Sequence, residues 1–562
     1  MEYQPQIRPR GPKHAKVLVV GEAPGEREVE AGVPFIGPSG KEMGRMLREA
    51  GIREEDCRFT NMINMRPPNN DVEKFFFTSK KKSNEGGGVY HWGRYCVPAI
   101  LDGLEDLRKE VESCNPNLII ALGNSGLWAT TGNKGITKWR GSELESTVLT
   151  RGTTGYKVIP TYHPANILRV YENRFIAVED LRRCRREAAT PEVYEQPYNF
   201  ILRPSAQTAL DVIRMLMEQV KQKPTKLAVD VETRNRQIAC IGLAWSSLDA
   251  ICIPVQSVDD VAGSYFSPGE ETEIIWQLNK LLRHPNCLVI GQNFNYDNQY
   301  FARNYGFRCN LQEDTMLQQH VAWPGLPKSL DFISSMYREH HRYWKDDGKN
   351  WDPRTTDENQ LWYYNCEDAV ATYESHFALV KVLDYFKLQD QYREKMLVAY
   401  YAFDMMLRGV NSNMKAKLEL SSELGFAIAK YREWLLKVIG YDVFGPKAVS
   451  PKKMMHLAYE VLKLPPKFVK TKEGRRKTAN KDAIAEWLET CEPVFRPILH
   501  VIEDVRSMQV FKSTFADQEL DWDNRFRCSN NVAGAHTMRW STSEDAFNYG
   551  GNLQNIPKGD DR

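Results

Sequence analysis

Several things are missing from this sequence, and each absence narrows it. Its eleven cysteines contain no C-x-x-C pair. That argues against a zinc ribbon and a disulfide framework, and suits a reducing cytoplasm. The N-terminus is polar and lacks the apolar core of a signal peptide. No run approaches the ~18 apolar residues that span a membrane. Excess charge is missing as well: 75 Lys and Arg face 73 Asp and Glu, a formal net charge of +2. Global charge therefore neither demands nor excludes nucleic acid, and any basic surface must be local.

What is present is 562 residues, 42% of them apolar, enough for roughly three or four core-forming domains. The organising stretch is Lys226-Leu-Ala-Val-Asp230-Val-Glu232-Thr. It is a short apolar strand that ends in two carboxylates at i and i+2, which point to the same face. Adjacent carboxylates repel, so such a pair calls for a cation between them, Mg²⁺ or Mn²⁺ by oxygen-ligand chemistry. Two further signals follow. Leu288 to Asp297 reads as a buried strand entering a helix, with Asn293 and Asp297 expected on one helical face. Tyr364 and Asp368 stand at i and i+4 within a helical pattern from Leu361 to Leu379. Taken singly, each has an ordinary structural explanation; the ordered set does not.

Upstream, Val17 to Val20 reads as a buried strand that runs into Gly21-Glu-Ala-Pro-Gly25. A second turn, Gly32-Val-Pro-Phe-Ile-Gly37-Pro-Ser-Gly40, opens a helix from Lys41 to Gly51. Leu118 to Leu122 and Val158 to Tyr162 are further strands, the latter leading to His163-Pro164. Strands alternating with helices predict a parallel sheet with its ligand beyond the strand C-termini. Ser79 to Gly88 reads as a flexible loop, and Pro191 to Tyr198 as a linker. Ser205 is expected to cap a helix that runs to about Lys221. Long helical patterns run from Gln389 to Gly440, and Ser450 and Pro451 open another helix. Lys470 to Lys481 is a basic turn that could track a DNA backbone.

G-E-A-P-G, G-x-P-F-x-G-x-x-G, Thr60-Asn61, Arg66-Pro67-Pro68-Asn69 and the terminal H-P together resemble the uracil-DNA glycosylase superfamily, in its iron–sulfur branch called family 4. The resemblance implies an α/β/α domain over residues 1–195. Glu22 would sit at the glycosidic bond, Phe35 would stack on a flipped uracil, Asn61 would read its edge and His163 would stabilise the leaving base. The branch holds its cluster with four cysteines. Here Met65 precedes Arg66 and only Cys96 has a counterpart, so no iron–sulfur cluster is expected. An acting glycosylase and a module kept for DNA binding both stay open.

The acidic set resembles the DEDD 3′–5′ exonucleases with tyrosine in the last motif, and specifically the proofreading domain of family A DNA polymerases. Asp314-Thr-Met-Leu and Ser329-Leu-Asp-Phe-Ile fit its intermediate segments, while Gln292 stands where many members have histidine. The resemblance implies an RNase H-like mixed-sheet domain over 196–385 and two Mg²⁺ or Mn²⁺ ions held by Asp230, Glu232, Asp297 and Asp368. Tyr364 would orient the attacking water, and Asn293 would meet the DNA.

Met406-Leu-Arg-Gly409-Val, Thr537-Met-Arg539-Trp-Ser541 and Asn552-Leu-Gln-Asn-Ile-Pro557 resemble thumb and early palm segments of the same polymerases. They imply a mainly helical thumb with partial palm over 386–562, and primer–template contacts by Arg539, Asn552, Gln554 and Asn555. No candidate for the palm aspartates or the fingers lysine is found, so a second chain carrying palm and fingers is expected as a partner beside DNA. The overall expectation is an α/β multidomain replication subunit or fragment in the cytoplasm of a bacterium or phage-infected cell. The alternatives are a stand-alone repair nuclease and a non-catalytic scaffold that recruits a polymerase.

Overall fold

The computed structural model describes residues 3–259, 263–349, 351–352, 357–444, 450–471 and 474–555. Two compact units divide the chain, Met1–Arg393 and Glu394–Arg562.

The first unit contains two large sheets. One runs in the order Cys57–Asn61, Val17–Gly21, Leu118–Leu122, Thr154–Thr161, Leu144–Arg151. Its first four strands are parallel, and the edge strand Leu144–Arg151 is antiparallel. Val17–Gly21 is buried throughout, as a strand covered on both faces must be. Its side chains alternate between two cores. Val17 and Val19 pack with Met43, Leu47 and Leu181, while Leu18 and Val20 pack with Leu107 and Trp128.

The helix expected from Lys41 begins earlier, at Pro38, and runs to Glu49 with proline in its first turn. The segment Ser79 to Gly88, read as a flexible loop, contains a helix, Lys80–Glu85. Ser79 caps it by accepting from the Lys82 N–H at 3.3 Å. That local cap outweighs the loop-forming composition on either side.

The second sheet has the order Leu311–Asp314, Cys287–Gly291, Thr225–Arg234, Gln237–Ala244, Asp249–Pro254, Asn199–Ile201. It is mixed: Thr225–Arg234 is antiparallel to Gln237–Ala244 and parallel to Cys287–Gly291. The helix Glu358–Phe386 lies across it, burying Trp362, Cys366 and Val370 against Ala228, Cys240 and Cys252. Gly242 permits that close approach, because a Cβ there would stand 2.9 Å from the Asn365 carbonyl oxygen. Ser205 caps Ala206–Gln222, its Oγ accepting from the Thr208 N–H at 3.1 Å.

The two sheet layers meet through buried charge. Arg140 is paired with Asp180 and donates to Ser335 Oγ at 2.6 Å. Arg183 donates to the carbonyls of Gly141, Ser335 and Arg338. The Glu143 N–H donates to the His341 carbonyl at 2.8 Å, and the His341 N–H donates to the Glu143 carboxylate at 3.3 Å.

The long helical patterns from Gln389 to Gly440 are two helices, Gln389–Arg408, which runs into the second unit, and Met414–Ile439. Gly409, at φ +64°, ends the first, and a Cβ there would meet the Phe526 carbonyl at 2.9 Å. Met414–Ile439, Lys481–Thr490 and Arg496–Phe511 enclose a core around Trp487, Leu499 and Ile502. Ser450 caps Pro451–His456 as expected, while Val449 lies outside the described residues. The basic turn forms part of a hairpin, Lys467–Thr471 with Gly474–Thr478, whose tip lies outside the described residues.

Candidate functional site

Strand Thr225–Arg234 delivers Asp230 and Glu232 side by side, just before a register shift at Glu232/Thr233. Helix Glu358–Phe386 brings Tyr364 and Asp368 opposite them. Carboxylate oxygens of Asp230, Glu232 and Asp368 all lie within 4.8 Å of one another. Asp297, in the first turn of Asn295–Asn304, sends Oδ1 to the backbone N–H of Val231 between the two strand acids, at 3.1 Å. Asn365 donates to Asp230 Oδ2 at 2.8 Å, and the Trp344 indole donates to Asp368 Oδ1 at 2.6 Å. The Lys345 ammonium pairs with Asp368 Oδ2 and lies 3.1 Å from the Tyr364 hydroxyl.

Burial, and then the charge of Asp368, push the Asp230 carboxyl up to about 7. Burial followed by the charge of Asp230 raises Glu232 and Asp297 well above the usual carboxylate range. The same neighbours raise the Tyr364 hydroxyl, burial acting first. Acids crowded in this way suit a hard divalent cation with oxygen ligands, which favours their charged forms. Asp230, Glu232 and Asp368 are the residues placed to hold one.

Asn293 departs from expectation. It precedes the helix, sits in the left-handed region at φ +56° and is exposed, so it shares no helical face with Asp297. Asp314 explains the turn: it accepts from the Asn293 and Phe294 N–H groups at 3.2 and 2.9 Å and caps Thr315–Ala322. Lys345, Trp344 and Asn365 were not singled out from sequence. Only Asn365, next to Tyr364 on the same helix, carried a local signal.

At the C-terminal edge of the parallel sheet, Glu22, Phe35, Asn61, His163 and Arg169 line a pocket of ≈ 490 Å³. Glu22 and Asn61 stand at the ends of adjacent parallel strands. Glu22 accepts from Ser125 Oγ at 2.6 Å, and burial raises its pKa. The buried Asn61 amide nitrogen has no partner. Burial, with Arg169 second, lowers the His163 pKa to about 4. Its Nδ1 accepts from the Ala165 N–H at 3.1 Å, which puts the proton of the neutral ring on Nε2. Phe35 is held at φ +60°. A Cβ on Gly21 would come within 2.7 Å of its ring, and one on Gly40 within 2.0 Å of its carbonyl oxygen.

An iron–sulfur cluster finds no fit in these residues. Cys57 and Cys96 are buried in different cores on opposite faces of the sheet, and Met65 packs with Cys96, Val72 and Phe75. Among the described residues no cysteine joins a group of three potential ligands.

In the second unit Arg539 and Gln554 are exposed. Asn552 Oδ1 accepts from Thr542 Oγ1 and from the Gln554 N–H. The Asn555 side chain lies outside what is described. No described helix is long and apolar enough to cross a membrane.

A family model for the uracil DNA glycosylase superfamily matches residues 8–187, and one for a 3′–5′ exonuclease matches residues 206–384. A type-4 uracil-DNA glycosylase of Thermotoga maritima is 34% identical over 174 residues, covering 30% of this chain and 76% of the relative. A DNA polymerase of Bacillus phage SP01 is 23% identical over 352 residues, or 58% of this chain and 34% of the polymerase. The solved POL domain of Pol1 from M. smegmatis, in complex with DNA primer-template and dNTP, aligns with a TM-score of 0.47 at 20% identity, covering 64% of this chain and 56% of that one. The chain thus spans about a third of the phage polymerase. Through residues 8–187 it belongs to the uracil DNA glycosylase superfamily, and it joins to that domain a 3′–5′ exonuclease domain in a polymerase-related chain.

Proposed function

We propose that the chain is a metal-dependent 3′–5′ DNA exonuclease that proofreads for a family A polymerase. The carrying observation is the convergence of Asp230, Glu232 and Asp368 within 4.8 Å, with Asp297 bonded to the strand between the first two. When bound, Mg²⁺ or Mn²⁺ would supply an activated water and stabilise the leaving 3′-oxygen. Asp230, Glu232 and Asp368 would hold the metal, with Asp297 as a further ligand beside them. The Tyr364 hydroxyl orients the attacking water, and exposed Asn293 meets the single-stranded DNA end. Replacing Asp230 and Glu232 together by Ala removes metal-dependent degradation of single-stranded DNA; retained degradation contradicts the assignment.

The same chain excises uracil in this reading. Support comes from the unpartnered Asn61 amide facing a pocket that also holds a neutral His163 and Glu22. Asn61 reads the flipped base, Phe35 stacks on it, and His163 donates Nε2–H to the departing uracil anion. Glu22 lies where positive charge develops on the sugar. Release of uracil from a single-stranded oligonucleotide tests this, and an N61A chain that excises as fast as wild type contradicts it.

The division into 1–195, 196–385 and 386–562 assigns the last part as thumb and early palm. There Arg539, Asn552, Gln554 and Asn555 face the primer–template. Leu397, Tyr400, Tyr401, Met405, Leu418 and Phe426 are large exposed apolar residues on two helices of that part. They support a surface that takes up palm and fingers supplied from outside this sequence. The setting proposed is the cytoplasm of a bacterium or a phage-infected cell. Capture of a chain with palm motifs separates this reading from a stand-alone nuclease.

A further inference from the structure

Segment Trp344–Gly348 belongs to no recognised motif, yet it lies directly on the carboxylate cluster. The Trp344 indole occupies Asp368 Oδ1 at 2.6 Å, and the Lys345 ammonium occupies Asp368 Oδ2. Lys345 also reaches the Tyr364 hydroxyl at 3.1 Å. Gly348 is seated on the Tyr364 ring, where a Cβ would stand 2.7 Å from Cζ.

The far side of the segment is held by the glycosylase part of the same unit. Lys138 pairs with Asp346, and the Trp139 and Tyr343 rings are 5.3 Å apart. The Tyr343 hydroxyl donates to Asp346 Oδ1 at 3.1 Å. Lys138 and Trp139 lie on the helix Ile136–Trp139, which follows the glycosylase sheet strand Leu118–Leu122.

One ammonium cannot balance three carboxylates gathered within 4.8 Å, so the cluster still attracts a divalent cation. The two cations compete, because both need Asp368 and they repel each other at contact distance. We propose that Lys345 is a tethered counter-cation of the nuclease site. It holds Asp368 without metal and surrenders Oδ2 when metal binds, so metal affinity is set partly by a side chain that the glycosylase domain keeps in place. Lys345 is thus a positioning residue. The inference rests on the nuclease reading above.

The test is Mn²⁺ titration of the full chain, followed by the electron paramagnetic resonance signal of free Mn²⁺. K345M should bind Mn²⁺ about tenfold tighter than wild type, the size expected when a charge leaves a partly screened site. K345R should match wild type, and K138Q should tighten binding by less. Without metal, K345M should melt below wild type, and Mn²⁺ should raise its midpoint by more. Folded K345M with unchanged or weaker Mn²⁺ affinity overturns the inference, and an unchanged K138Q overturns its inter-domain part. If K345M does not fold, K345Q carries the same test with the same outcomes. The D230A/E232A double variant separates the two claims: if it binds Mn²⁺ like wild type, the nuclease reading fails and takes this inference with it.

Discussion

The pocket around Glu22 and the cluster around Asp230 both set carboxylates at the ends of buried strands, but they hold them differently. Glu22 takes one hydroxyl hydrogen bond from Ser125 and is raised first by burial, the charges of Glu73 and Asp71 adding to it. Asp230 and Glu232 are raised by burial and by neighbouring carboxylates, and Asp368 lies against them, paired with Lys345. A lone acid can stay in a pocket by one hydrogen bond and a shifted equilibrium. A cluster cannot, and requires a cation. On the proposed reading, one chain would therefore carry a site whose chemistry comes from hydrogen-bond donors and another whose chemistry comes from metal.

The sharpest way to break that contrast is at Asp368. D368A should lower exonuclease rate by at least about three orders of magnitude, through loss of a ligand that secures metal-assisted stabilisation. It should leave uracil release unchanged, and single-turnover degradation of a 3′-labelled strand measures it. Next comes N61A, which should lower uracil excision by about 10²–10³-fold, as for loss of one preorganised donor. It should spare the exonuclease. An N61A chain that loses both activities would show that the two sites are not independent.

The junction between the two sites gives a stability prediction. R140M leaves the fully buried Asp180 with the Thr161 hydroxyl but without its ion-pair partner and should cost about 3–5 kcal/mol, read by denaturant unfolding. The smallest expected effect is a pH dependence. His163 has its folded pKa at about 4, below its ordinary 6.5. The unfolded chain therefore takes up a proton first, and stability is lost as pH falls from 6.5 towards 4. H163Q should lose less over that window, as judged by thermal midpoints of the two proteins.

What the sequence revealed and what it concealed follow from range. Asp230/Glu232 and Tyr364/Asp368 obey strand and helix periods, so their shared faces could be read from spacing alone. The shared edge of the pocket loops was legible because loops after parallel strands gather there, whereas the roles of Glu22, Phe35, Asn61 and His163 came from the resemblance to the glycosylase superfamily. Asn293/Asp297 has the same i, i+4 spacing as Tyr364/Asp368, yet a left-handed residue and the bracket from Asp314 place Asn293 outside the helix. Spacing cannot reveal where a helix starts when a side chain distant in sequence decides it. Lys345 on Asp368 and Arg140 on Asp180 are separated by 23 and 40 residues, and no local pattern links them. The helix Lys80–Glu85 was hidden because the glycines after it dominate the local composition.

The most direct measurement uses one single-stranded oligonucleotide with an internal uracil and a label placed to report both reactions, incubated with the full chain with and without a chelator. The account predicts that chelation stops 3′–5′ degradation while uracil release continues at its former rate. Degradation that persists without divalent metal would contradict it.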